Sequence, residues 1–147
     1  MQTLSIVWQR LLSPAGTTCP RCTGTGDEVL RGVEQLRSAL QPLGLEPVLE
    51  IRALDAAAFA QDPGASNPIW IEGRLLEDWL QGQTGRSRCC AECGDQDCRT
   101  VEVDGASHEV VPAALVVRAG LLAAAQKLAG PKAAANACCS GPSACCG

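Results

Sequence analysis

Leu4-Ser5-Ile6-Val7-Trp8-Gln9-Arg10-Leu11-Leu12, then Thr18-Cys19-Pro20-Arg21-Cys22, then an amphipathic run to Leu43: this N-terminal stretch decides the fold. The first segment is short, apolar and without a helical stripe, which marks a buried strand. Ser13-Pro14-Ala15-Gly16 is a loop signal before the first cysteine pair. Val29, Val33, Leu36, Leu40 and Leu43 then recur at steps of four and three and mark one face of a helix. Thr25 followed by Glu28 has the form of a capping box and sets the expected helix start there. Pro42 and Gly44 end it. From Leu45 to Ala53 the pattern alternates, with Leu45, Leu49 and Ile51 on one side and Glu46, Glu50 and Arg52 on the other, as in a half-buried strand.

Working outward, Asp55 is placed to cap a short helix through Phe59, and Asp62-Pro63-Gly64 stops it. Ile69-Trp70-Ile71 is a third strand, turned by Glu72-Gly73, and Leu75, Leu76, Trp79 and Leu80 continue as a brief strand or helical turn. Residues 82–99 hold Gly82, Gly85 and Gly94 and read as a cysteine-rich loop. Thr100 to Val103 and Ser107 to Val111 alternate around Asp104-Gly105, a strong hairpin signal. Pro112 suits the first position of a last helix reaching about Leu128. Residues 129–147 hold no large apolar side chain except cysteine, so they form an expected disordered tail. The order gives an α/β domain over residues 3–128.

The opening residues lack a basic n-region and a small-residue cleavage site, so no signal peptide is expected. Ala113 to Leu128 is interrupted by Arg118, Gln126 and Lys127 and is too short for a membrane span. A cytoplasmic, reducing setting follows as the expectation, with no membrane partner. The net charge is −4, and the basic residues are scattered without interleaved aromatics, which argues against nucleic acid. No phosphate loop, nucleophile elbow or Ser/His/Asp set occurs, and no organic cofactor is expected.

The strand–Cys-x-x-Cys–helix order resembles the thioredoxin superfamily, and Ile69-Trp70-Ile71-Glu72-Gly73 resembles the strand-turn of glutaredoxins. Residues up to about Leu128 also resemble an uncharacterised bacterial family of small thioredoxin-like proteins. That likeness rests on Thr18 to Cys22, Ile69 to Arg74 with Trp79-Leu80, Cys98 to Val103, and Arg118 to Leu122. The resemblance implies a thioredoxin-like mixed sheet flanked by helices, with Cys19 as nucleophile and Cys22 as resolving thiol. Asn67 stands where that superfamily has a cis-proline, with Pro68 one step later. Thr23-Gly24-Thr25-Gly26 is expected to delay the helix and so to weaken its electrostatic effect on Cys19.

Ten cysteines fall in three groups: Cys19 and Cys22; Cys89, Cys90, Cys93 and Cys98; and the tail pairs Cys138-Cys139 and Cys145-Cys146. Thiolates are soft ligands, so the middle and tail groups are candidate sites for As(III), Hg(II), Zn(II) or Cu(I). Three thiolates suit pyramidal arsenic, and four suit tetrahedral zinc. Two close thiols on a flexible arm can capture such an ion and pass it on by ligand exchange. Eighteen flexible residues span about 20–25 Å, enough to reach the folded body. The leading functional expectation is binding and transfer of a thiophilic metal or metalloid, with a metal-accepting or redox protein as partner. The alternatives are a thiol–disulfide oxidoreductase using Cys19 and Cys22, and a structural zinc protein. His108 reads as an exposed or partly packed strand residue, Trp8, Trp70 and Trp79 as core, and Glu77-Asp78 as a solvated face.

Overall fold

The computed structural model describes residues 1–12, 16, 19–88 and 97–130. The first strand, β1 (Gln2–Leu11), is followed by α1 (Pro20–Leu40) and β2 (Leu45–Leu54), which lies parallel to β1 in the register Gln2↔Leu45 to Leu11↔Leu54. A parallel neighbour needs a crossover, and the helix supplies it. Val29, Val33, Leu36 and Leu40 are buried along one stripe of α1, as their spacing requires, whereas Leu43 is exposed in a 3-10 turn beyond it. Gly44 then adopts a left-handed φ of 72° to end the turn. β2 is an edge strand, and only its first half is sealed: Leu45 is buried, while Ile51 is 47% exposed despite sharing its side.

The Asp55 side chain caps α2 (Ala56–Gln61), accepting from the Ala58 amide at 2.7 Å. β3 (Ile69–Ile71) runs antiparallel to β1 and turns into β4 (Arg74–Leu75), with Glu72 and Gly73 at φ 50° and 77°. The resulting four-stranded mixed sheet has the order β2-β1-β3-β4. After the short α3 (Leu76–Trp79) comes a separate antiparallel sheet of β5 (Gln83–Arg88), β6 (Asp97–Val103) and β7 (Ala106–His108). The last helix, α4 (Ala113–Ala129), packs mainly on α1. That contact is close at Gly120, where a Cβ would sit 2.5 Å from Leu36 Cδ1. The mixed α/β class therefore stands, as does the helical flank of the first sheet.

Five sequence expectations change. The first helix begins at Pro20, not at Thr25, so Thr23-Gly24-Thr25-Gly26 delays nothing. Residues 83–88 are a strand rather than loop, because they pair antiparallel with the facing β6, which supplies a register partner for each of them. The strand expected over Ser107–Val111 is confined to Ala106–His108, and Pro112 is the N-cap of the last helix rather than its first residue. Glu77 is not on a solvated face: it is 1% exposed and paired with Arg99. Among the described residues, no helix is long and apolar enough to cross a membrane. The expected tail from Pro131 onward lies outside the described residues.

Candidate thiol site

Cys19 is the N-cap of α1, with extended backbone angles (φ −71°, ψ 159°), and Pro20 opens the helix behind it. Proline fits this position because its missing N–H would have no intrahelical acceptor. The Cys19 carbonyl takes the first helical bond from the Thr23 amide at 2.9 Å, and its sulfur accepts from the Cys22 amide at 3.5 Å. The cap role usually filled by Ser, Thr, Asp or Asn is thus filled by a thiol. An anionic sulfur here meets the unpaired N–H groups and partial positive charge of a 21-residue helix. Burial works against that charge, since Cys19 and Cys22 are each 1% exposed.

Cys22 lies one turn into the helix, 3.6 Å from the Ser66 hydroxyl. Ser66 belongs to a segment tied to β1 from three directions. The Asn67 amide donates to Gln9 O at 2.9 Å, the Gln9 amide to Pro68 O at 3.2 Å, and the Gln9 side chain to Ala65 O at 2.7 Å. Asn67 adopts a left-handed φ of 69°, which Asn tolerates better than most residues. Its side chain accepts from Trp8 Nε1 at 2.8 Å and donates to Thr25 Oγ1 at 3.1 Å. Every described peptide bond is trans, so the Asn67-Pro68 step that follows Ser66 has no cis linkage.

The residue between the two cysteines reaches the second sheet. The Arg21 guanidinium donates to Arg88 O at 2.7 Å and Ser87 O at 3.5 Å, and pairs with Glu109 at 3.2 Å. Ser87 is the register partner of Cys98, which is 2% exposed on β6. Arg99, the next residue, pairs with Glu77, donates to Thr84 Oγ1 at 2.9 Å and reaches Gly64 O at 3.4 Å. The second sheet is therefore anchored on both sides of the cysteine turn, by Arg21 to α1 and by Arg99 to the loop before Ser66.

Of the expected site residues, the structure brings Cys19 and Cys22 together and sets Cys98 on the neighbouring sheet. Cys89, Cys90, Cys93, Cys138, Cys139, Cys145 and Cys146 lie outside the described residues. Among those described, no group of three or more His, Cys, Asp or Glu side chains is arranged to hold a metal ion. His108 is partly exposed on β7 opposite Val101. Trp8 is buried, and Trp70 and Trp79 are half-buried, Trp79 under the Arg74 guanidinium at 4.7 Å. Sequence reasoning missed Ser66 and Arg21, for which no local pattern exists. It also missed the Glu77–Arg99 pair, whose only local sign was a carboxylate inside the apolar run Leu75 to Leu80.

A protein of Archaeoglobus fulgidus described as an uncharacterized protein is 50% identical over 113 residues, covering 77% of this chain and 82% of the relative. No solved structure matches the chain. A family model spans residues 4–120, which takes in the three described cysteines and the Ser66–Pro68 segment and stops before the tail pairs. By that match the chain belongs to the family described as domain of unknown function (DUF2703).

Proposed function

We propose that the protein is a thiol–disulfide exchange protein of thioredoxin-like fold, with Cys19 as nucleophile and Cys22 as resolving thiol. The observation that carries this reading is the capping of α1 by the Cys19 sulfur, with the second thiol one turn behind it. The finer fold assignment is supported by the β2-β1-β3-β4 order, the Cys-x-x-Cys between β1 and α1, and the Ser66–Pro68 segment against the thiols. In the forward step the Cys19 thiolate attacks a disulfide, forms a mixed disulfide and releases one thiolate. Cys22 loses its proton, attacks the Cys19 sulfur and releases the second thiolate, leaving Cys19–Cys22 oxidised. An external dithiol restores the pair. Both thiols are sealed, so exchange requires local opening, and the Arg21 contacts to Ser87, Arg88 and Glu109 are among those that opening breaks.

The capture and transfer of As(III), Hg(II) or another soft ion depends on seven cysteines outside the described residues. The geometry of Cys19 and Cys22 supports exchange ahead of it. The test is insulin reduction with dithiothreitol by full-length protein. Wild type is expected to accelerate precipitation, Cys19→Ser to abolish the acceleration, and pre-reduced Cys22→Ser, mixed with insulin after dithiothreitol is removed, to accumulate a mixed disulfide through Cys19. Equal rates for wild type and Cys19→Ser would overturn the reading.

A further inference from the structure

Cys22 is buried, and its sulfur lies 3.6 Å from a hydroxyl that is itself 1% exposed. A buried sulfur that must act as a nucleophile needs a nearby donor, because the ionic form has lost its water. Ser66 Oγ is such a group, and it is held in place by neighbours rather than by its own side chain. On its N-terminal side, Ala65 O is bound by the Gln9 side chain and Gly64 O is approached by Arg99. On its C-terminal side, Asn67 and Pro68 are bonded to β1 through the backbone, and the Asn67 amide is clamped between Trp8 and Thr25. The contacts of Ala65, Asn67 and Pro68 to Trp8 and Gln9 of β1 hold the segment without using the sulfur, so the hydroxyl is preorganised.

We infer that Ser66 is a positioning residue for Cys22: its hydroxyl donates to the Cys22 sulfur and favours the dithiol over the Cys19–Cys22 disulfide. The inference rests on the exchange reading above. Oxidation removes the Cys22 proton and joins its sulfur to that of Cys19. A disulfide sulfur is a poorer acceptor than a thiol or thiolate, so the Ser66 bond is strongest in the reduced state. In a glutathione buffer the balance is dithiol plus one glutathione disulfide, giving the protein disulfide plus two glutathione thiols. Loss of the hydroxyl therefore makes oxidation easier.

The test equilibrates full-length protein across a series of glutathione to glutathione-disulfide ratios, quenches with an alkylating reagent and digests with trypsin. Cleavage after Arg21 separates Cys19 and Cys22 onto two peptides, so their linkage reports this disulfide alone. Ser66→Ala is expected to move the midpoint about three- to tenfold toward the oxidised form, the effect of one lost hydrogen bond of about 1 kcal/mol. Ser66→Gly, which also lacks the hydroxyl, repeats the shift, and Ser66→Thr, which keeps it, stays near wild type. A Ser66→Ala midpoint within about twofold of wild type, or a Ser66→Thr shift as large as that of Ser66→Ala, overturns the inference and leaves the exchange reading standing. If wild type forms no Cys19–Cys22 linkage at any ratio, the exchange reading falls and the inference with it.

Discussion

Replacing Asn67 with alanine tests the support behind the thiol site. The substitution removes the acceptor of Trp8 Nε1 and the donor to Thr25 Oγ1, in a residue that is 3% exposed. A buried indole N–H left without an acceptor costs about 1–3 kcal/mol, and the lost bond to Thr25 adds about 1 kcal/mol. The backbone adds a third contribution, because φ is 69° and alanine in the left-handed region costs about 1–2 kcal/mol where asparagine costs less. The sum is about 3–5 kcal/mol, a large part of the 5–15 kcal/mol by which a domain is usually stable. Asn67→Gly removes the same two bonds but has no Cβ to strain, so it should be about 1 kcal/mol less damaging than Asn67→Ala. The assay is urea unfolding of both variants followed by far-ultraviolet circular dichroism. Trp8→Phe and the double variant Trp8→Phe/Asn67→Gly close a cycle that isolates the indole–amide bond. The reasoning is refuted if Asn67→Ala lies within about 1 kcal/mol of wild type, because neither a buried orphan donor nor a strained backbone would then exist at this position.

The buried pair of Glu77 and Arg99 gives a second prediction. Glu77→Gln keeps a partner for Thr84 but leaves the Arg99 charge uncompensated, and should cost about 3–5 kcal/mol, whereas the joint change Glu77→Leu/Arg99→Met should recover most of it; urea midpoints decide. A third concerns acid. Burial raises the Glu72 pKa, but the Lys127 ammonium and the Ser5 amide outweigh it and hold the carboxyl below its ordinary value. The stabilisation is therefore present above the unfolded-state pKa and is lost as pH falls through the lower folded value. Because this pair is partly solvated, Glu72→Gln should flatten the fall in stability below about pH 5 by no more than about 1 kcal/mol, measured by urea unfolding across that range.

The interior of α1 could be read from its apolar spacing because Val29, Val33, Leu36 and Leu40 face one core. Its start could not, and the reason is specific. Thr25 and Glu28 do have the form of a helix cap, but the amides they satisfy belong to another part of the chain. Thr25 Oγ1 accepts from the Val111 amide at 3.2 Å, and Glu28 Oε2 from the Ala113 amide at 2.7 Å, at the start of α4. The cap signal was sound, and the helix it serves lies 85 residues on. The β5 strand was illegible for a similar reason. Gln83-Thr84-Gly85-Arg86-Ser87-Arg88 has no apolar alternation, and its conformation comes from the facing strand. Gly85 is needed there because a Cβ would sit 2.5 Å from Thr100 Oγ1. Cys19 and Cys22 were legible as a pair from spacing alone. Ser66 and Arg21 were not, since their roles depend on partners 44 and 66 residues away.

The same contacts explain why a reactive-thiol arrangement coexists with sealed thiols. At Cys19 the helix terminus favours negative sulfur, whereas burial opposes it. In the proposed exchange neither effect would set the rate by itself, because a sulfur that is 1% exposed meets a protein disulfide only after local opening. Arg21 meets two carbonyls and a carboxylate on and beside the second sheet, whereas the Asn67 clamp joins β1, α1 and the Ser66 segment without using that sheet. The Asn67 clamp is thus separate from the Arg21 anchor of the second sheet, whereas Arg99 joins that sheet to the loop before Ser66 through Gly64 O. In the proposed exchange, an opening confined to the Arg21 contacts would expose Cys19 while the bonds of Asn67 to Trp8 and Thr25 keep the Ser66 segment against β1 and α1 for the resolving step.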